Sequence, residues 1–147
     1  MKLRTSRLNL LGAAAIVACC LGCGSNGSSG SNGDPALVGT WTGTEMDYTS
    51  GSWTFVITAT TLEVQSSGGE GYKTNYTADT STDPKRLTAT ITECSAVELI
   101  GKSSKGIYKI EGTTMSFAAN IPGSTDFPTA FAHDSVHQTR AYSLTKL

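Results

Sequence analysis

The feature that most constrains the fold is a two-residue alternation of apolar and polar side chains, repeated in short segments through residues 36–147. Successive side chains of a β-strand point to opposite faces, so this alternation predicts half-buried strands. In "RLTATIT", for example, Leu87, Ala89 and Ile91 share one face and three threonines share the other. Threonine and aromatic residues favour pleated surfaces, and no window keeps a helical period for three turns. The pattern therefore predicts an all-β domain.

Eight alternating segments follow one another, with Gly, Asp and Pro between them at positions typical of tight turns. In chain order they are "LVGTWTGTE", "SWTFVIT", "TLEV", "YKTNYTA", "RLTATIT", "IYKIE", "TMSFAA" and "RAYSLTK". The Glu111-Gly112 pair is the clearest hairpin signal, residues 94–101 suit a short helix or an irregular strand, and residues 120–138 read as a long loop with two prolines. We expect a single small antiparallel meander barrel of about eight strands, with a β-sandwich as the alternative. A lone Cys94 offers no inter-sheet disulfide to support the sandwich.

The residues expected to point inward are bulky for strands of this length. They are Trp41, Trp53, Phe55, Ile57, Leu62, Val64, Tyr72, Tyr76, Leu87, Ile91, Tyr108, Ile110, Met115, Phe117, Tyr142 and Leu144. An eight-stranded barrel has an interior just wide enough for side chains or one small ligand. We therefore expect a mostly filled core, with any pocket shallow and near one mouth.

Residues 1–22 have the features of an export signal. Lys2, Arg4 and Arg7 form a basic start, and residues 8–18 are an apolar run of about eleven, within the 7–15 typical of such a signal. A membrane-spanning helix would need roughly 20 apolar residues. The segment therefore predicts export and not a membrane span.

Three of the four cysteines lie in residues 19–23, at the end of this apolar run. "IVAC" and "CLGC" both resemble the lipobox of bacterial lipoproteins, in which a cysteine becomes the acylated first residue of the mature chain. We favour Cys23, because it lengthens the apolar segment and places the polar tether directly after the anchor, and keep Cys19 as the alternative. A metal or redox cluster is disfavoured, since no second Cys or His pair follows at zinc-site spacing.

The predicted organisation is a signal peptide in residues 1–22, an acylated Cys with a Gly/Ser/Asn tether in residues 23–35, and a folded domain in residues 36–147. Two or three acyl chains hold a protein on a membrane stably. We expect a lipid-anchored protein of the cell envelope that faces the periplasm or the exterior. Without the three basic residues of the signal, eight Lys and Arg face twelve Asp and Glu, a net charge of −4. This balance disfavours nucleic acid as a partner.

The "GTW" stretch that begins the first segment, with Gly39 and Trp41, resembles the G-x-W start of the lipocalin group. In that group the Trp closes one end of the barrel and an Arg from near the last strand packs over it. The resemblance implies a lipocalin-like barrel and a structural pair formed by Trp41 and Arg140.

A second resemblance covers nearly the whole folded part. "LVGTW", "DPKRLTATIT", "KGIYKIEGTTMSFAA", "PTAF" and a last strand ending in Lys resemble a small uncharacterised lipocalin-like domain family common in planctomycete secreted proteins. The family carries no established activity, so the resemblance implies fold and location and transfers no site. The "HDSVH" segment departs from its pattern.

Candidate chemistry in the folded part is sparse. His133 and His137 are weak metal candidates, because a metal site needs three or four convergent ligands. Carboxylates such as Glu45 and Glu70 are scattered and do not read as an acid and base pair. Cys94 reads as a small buried apolar residue rather than a reactive thiol.

We therefore expect no enzyme, cofactor or metal, and a non-catalytic interaction or structural module on a membrane anchor, with either a small apolar ligand or a protein as its partner. The alternative is a lipocalin-like binder of a small apolar ligand. The two differ in the barrel interior: an open apolar pocket of ~300 Å³ or more favours the binder.

Overall fold

The computed structural model describes residues 33–47 and 51–147, which form a closed barrel of eight antiparallel strands in sequence order. The strands are β1 (Gly39–Glu45), β2 (Trp53–Ile57), β3 (Thr61–Ser66), β4 (Gly71–Asp79), β5 (Lys85–Cys94), β6 (Ser103–Glu111), β7 (Thr114–Ala119) and β8 (Arg140–Lys146). Each predicted segment corresponds to one strand. The sandwich alternative is wrong, because β1 pairs with β8 and closes a single sheet.

Alternation places one face of each strand inside the barrel, as predicted. In β5 the inward Leu87, Ala89 and Ile91 are all buried. The predicted hairpin at Glu111-Gly112 joins β6 to β7, with Glu111 opposite Thr114. Gly112 has a φ of 61°, in the left-handed region that glycine adopts without strain.

The end of the barrel where β1 begins and β8 ends, here called the closed end, is packed solid. Trp41, Tyr108, Met115 and Leu144 have no solvent exposure there. A 3-10 turn, Pro35–Leu37, lies against this end, and the indole Nε1 of Trp41 donates a hydrogen bond of 2.8 Å to the carbonyl of Leu37. The opposite end, where β1 ends and β8 begins, is called the mouth end below.

The chain joins the barrel at the closed end. Gly33 N donates to Ala59 O at 2.9 Å, and the buried Asp34 carboxylate accepts bonds from Lys85 Nζ at 2.7 Å and from the Tyr108 hydroxyl at 3.0 Å. The folded unit thus includes Asp34 and Pro35, which the sequence assigned to the tether. The folded unit begins earlier than predicted because Asp34 bonds to Lys85 and Tyr108, which lie 51 and 74 residues away in the chain. No local sequence pattern reveals such distant contacts. Cys19 and Cys23 lie outside the described residues.

The predicted long loop between β7 and β8 packs on the outer face of the barrel. Phe127 and Phe131 pack against a small second core formed by Ile107, Ala118 and Ala141 on the outer faces of β6, β7 and β8. Near its end the loop has one isolated bridge between residues 134 and 139.

The uncertain segment 94–101 contains a 3-10 turn, Val97–Leu99. In residues 33–47 and 51–147, no helix has the length and apolar character needed to cross a membrane.

Candidate functional site: a cavity at the mouth end

The mouth half of the barrel contains a cavity of about 1040 Å³ that is open to solvent. Small-molecule sites usually measure about 300–1,000 Å³, so this cavity is large enough for a ligand. Its inward wall residues are mainly apolar, among them Trp53, Phe55, Leu62, Val64, Leu87, Ala89, Ile91, Phe117, Ala119 and Tyr142. The cavity corrects the expectation of a mostly filled core with a shallow pocket. Only the closed end is filled, since small side chains such as Thr74, Ala89 and Ala119 occupy inward positions near the mouth.

One side of the cavity is formed by a cluster of four aromatic rings. Phe55 lies edge-to-face against Phe117 and Tyr142, with ring centroids 5.3 and 5.2 Å apart. Trp53 meets Tyr142 in the same manner at 5.3 Å. Such offset pairs are favourable beyond their burial and leave little freedom to each ring. They give the cavity a rigid apolar wall.

Most polar groups of the wall already have protein partners. Thr74 Oγ1 donates to Leu62 O at 2.9 Å, and Ser104 Oγ donates to Asn120 O at 2.5 Å. The Tyr142 side chain is only 5% exposed, and its hydroxyl forms no hydrogen bond with a described residue. A ligand would therefore meet mainly apolar surface, together with a few polar groups such as the Tyr142 hydroxyl.

Arg140 organises the mouth end of the cavity. Its Nε and Nη2 donate to the two carboxylate oxygens of Glu45 at 2.8 and 2.7 Å, and its Nη1 donates to Glu70 Oε1 at 2.8 Å. The guanidinium carbon lies 4.7 Å from the centroid of the Trp53 ring. The hydrogen bonds that Arg140 donates to Glu45 outweigh burial and raise the pKa of Arg140 above its usual value. The cation is thus held by two anions and a ring face.

Burial is the main cause of the pKa shifts of two tyrosines at the mouth end. Burial, then the hydrogen bond that its hydroxyl donates to Glu70 at 2.7 Å, raises the pKa of Tyr72 to about 12. Burial also raises the pKa of Tyr142, which Arg140 opposes and the two glutamates reinforce. Both hydroxyls therefore stay protonated at neutral pH, mainly because they are buried.

The predicted pairing of Trp41 with Arg140 is wrong, because the cation that packs on Trp41 is Lys146. Trp41 lies opposite Lys146 in the β1–β8 register, and Lys146 Nζ sits 5.1 Å from the centroid of the Trp41 ring. Arg140 begins β8 at the other end of the barrel and stacks on Trp53. Gly39 has a structural role: a Cβ there would lie 2.7 Å from Cε of Lys146, and its φ of 140° suits glycine. The sequence predicted a cation over Trp41 but could not fix the register that selects it.

The two histidines are not brought to a common centre with other ligands. His137 Nδ1 lies 2.6 Å from Asp134 Oδ2, and this contact raises the pKa of His137, whereas His133 is part of the cavity wall. Within the described ranges, no three His, Cys, Asp or Glu side chains converge as a metal site would require. The partly buried Cys94 has its Sγ 3.0 Å from Ala96 O.

Glu45 and Glu70 are the functional candidates that the sequence reading missed, because it treated them as scattered carboxylates. Glu45 lies four residues after Trp41 in β1, so the two-residue alternation alone places its side chain on the same, inward face of the strand. An acidic residue at an inward position indicates a buried partner, which is the signal that could have found it.

Comparison with known proteins assigns no family to the chain. No family model, curated protein or solved structure matches it. The resemblance to the lipocalin-like family of planctomycete secreted proteins stays a prediction.

Proposed function

We propose that the protein is a membrane-anchored extracytoplasmic binding protein, with a lipocalin-like mode of action, that holds one small and mainly apolar molecule in its cavity without catalysis. The observation that carries the proposal is the cavity of about 1040 Å³ with its aromatic and aliphatic wall. A filled barrel serving only as an interaction or structural module would have no such space. The eight-stranded closed meander and the "GTW" stretch at its closed end support the lipocalin-like assignment.

The position of the chain entry supports a defined orientation on the membrane. The proposed anchor, Cys23 or Cys19, precedes Gly33, which joins the barrel at the closed end. The Gly-rich tether between Cys23 and Gly33 has nine residues and a reach of roughly 17 Å. The closed end would thus be nearest the membrane, and the mouth end would face the aqueous space from which ligand enters.

Mass spectrometry of the mature N-terminus tests the anchor. We expect a chain that begins at Cys23, or alternatively at Cys19, and carries the added mass of acyl chains. An uncleaved and unmodified N-terminus would contradict both the anchor and the location.

Binding is tested with N-phenyl-1-naphthylamine, a neutral apolar dye whose fluorescence rises in apolar surroundings. The full chain is used with Cys19, Cys20 and Cys23 replaced by serine, so that no acyl chain competes with the dye. We expect saturable binding of one dye per chain. Ala89→Phe, which fills the cavity from β5, should weaken binding by about tenfold or more, and the protein should stay folded because the added ring occupies existing space.

Ala78→Phe is the matched control, because Ala78 is an inward residue of β4 in the packed core that is absent from the cavity wall. The same ring is expected to overpack this site and cost about 1–3 kcal/mol of stability while leaving dye affinity unchanged. Absence of saturable dye binding to the parent chain, or unchanged binding in Ala89→Phe, would overturn the proposal.

A further inference from the structure

The charged side chains of the cavity wall carry more negative than positive charge. Glu45, Glu70 and Arg140 contribute two negative charges and one positive charge to the cavity wall, which also contains His133. These three side chains together carry a net charge of −1. The folded part as a whole is also acidic, so the long-range field draws cations toward the protein.

Arg140 is poorly placed to receive an anionic ligand. Three of its N–H groups already donate to carboxylates, two to Glu45 and one to Glu70, and its face lies on Trp53. A carboxylate approaching the guanidinium would also approach both glutamates. Burial is the main cause of the rise in the pKa of Tyr72 to about 12, and the adjacent Glu70 carboxylate adds to it.

The same surroundings suit a cation. Oxygen Oε1 of Glu70 accepts from Arg140 and Tyr72, while Oε2 forms no hydrogen bond with a described residue. The hydroxyl of the 5% exposed Tyr142 is a second group of the wall without a hydrogen-bond partner among described residues. Aromatic ring faces attract ammonium groups, and the rings of Phe55, Phe117 and Tyr142 lie in the same wall.

We propose, given that the cavity binds a ligand as argued above, that it selects amphiphiles with an apolar body and a positively charged amine over carboxylates of the same size. The apolar body lies against Phe55, Leu62 and Phe117, and the ammonium lies at the mouth end beside Glu70. This assignment names the ligand class of the proposed binding function.

Three probes that share a twelve-carbon chain and differ in head group test the selectivity. Dodecylamine, dodecanol and dodecanoate compete with N-phenyl-1-naphthylamine on the serine-substituted full chain at pH 7, where the amine is protonated and the acid ionised. We expect affinity to fall from amine to alcohol to carboxylate. The amine should bind about tenfold or more tightly than the carboxylate, which corresponds to about 1.4 kcal/mol.

Glu70→Gln removes one charge at the mouth end and is expected to reduce the ratio of amine to carboxylate affinity severalfold. Glu63→Gln is the matched control, because it removes the same charge from the exposed outer face of β3 and should leave the ratio unchanged. If the parent chain binds the dye but binds dodecanoate as tightly as dodecylamine, the selectivity is overturned and the cavity is upheld. An unchanged ratio in Glu70→Gln would also overturn the selectivity. Failure of the dye and all three probes to bind would instead overturn the proposed function.

Discussion

Arg140 is the residue on which the structure of the mouth end depends most. It bridges the largely buried Glu45, which is 7% exposed, to the more exposed Glu70. Removing one partner of a buried pair leaves an uncompensated charge. We expect Arg140→Met to lower the free energy of unfolding by about 2–3 kcal/mol, below the usual 3–5 because Arg140 itself is partly exposed. Urea denaturation measures the change.

The double variant Glu45→Gln with Arg140→Met is the control for this prediction. Once both charges are gone, no buried ion is left without a partner, so its loss of stability should be smaller than the sum of the single losses. Additive losses would show that the two side chains do not interact in the folded protein.

Asp34 is expected to make the closed end sensitive to acid. Burial acts to raise the pKa of this carboxyl, but bonds from Lys85, Ala36 and Tyr108 outweigh it and hold the pKa below the ordinary 3.8. Because the folded pKa lies below the unfolded one, the stabilisation is complete above the unfolded pKa and is lost as pH falls through the folded pKa.

The acid sensitivity of the closed end is tested by comparing the stability of Asp34→Asn with that of the parent chain. At pH 7 this variant should be less stable by about 1–3 kcal/mol, since it loses charge-assisted bonds in a buried place. The difference should shrink as pH falls below about 4. Asp126→Asn, in an exposed loop, should change little at either pH, and a difference for Asp34→Asn that stays constant down to pH 2 would contradict the account.

At the scale of single residues, alternation in the sequence predicted which side chains face inward but not which of them meet. Arg140 and Trp41 were both placed inside correctly. Their partners depend on the register between β1 and β8, in which Trp41 faces Lys146. Register is set by the closure of the whole sheet, and a single strand pattern does not contain it.

The β7–β8 loop is the element whose contribution is least visible in the sequence. Phe127 covers the outer core, and its ring lies 4.7 Å from the guanidinium carbon of Arg86 and 5.3 Å from Lys105 Nζ. We expect Phe127→Ala to cost about 1–3 kcal/mol in urea denaturation, less than the 3–5 typical of fully buried Phe because this ring is half-buried.

Val136→Ala is the matched control in the same loop, because Val136 is 82% exposed. Its effect on the free energy of unfolding should stay within about 0.5 kcal/mol. Equal effects of the two substitutions would mean that the loop does not pack on the barrel. The length and irregularity of the loop were predictable from its prolines. Its packing was not, because it depends on outward apolar residues from three different strands, Ile107, Ala118 and Ala141.

For the whole molecule, strand number and closure followed from the sequence, whereas the hollow interior did not. The large inward residues predicted a filled interior, and Tyr108, Met115 and Leu144 do fill the closed end. The cavity arises because small inward residues, such as Ala89 and Ala119, fall together at the mouth end. Which small residues become neighbours depends on the register of several strands, so the cavity could not be predicted from the sequence pattern of single strands.

The location of a bound ligand tests the central claim most directly. Crystals of the full chain grown with 12-bromododecylamine would locate the bromine by its anomalous scattering. We predict one bromine site inside the barrel, among Phe55, Leu62 and Phe117, with the amine at the mouth end. Crystals that show an empty or filled interior, with bromine only on the outside of the barrel, would contradict the account.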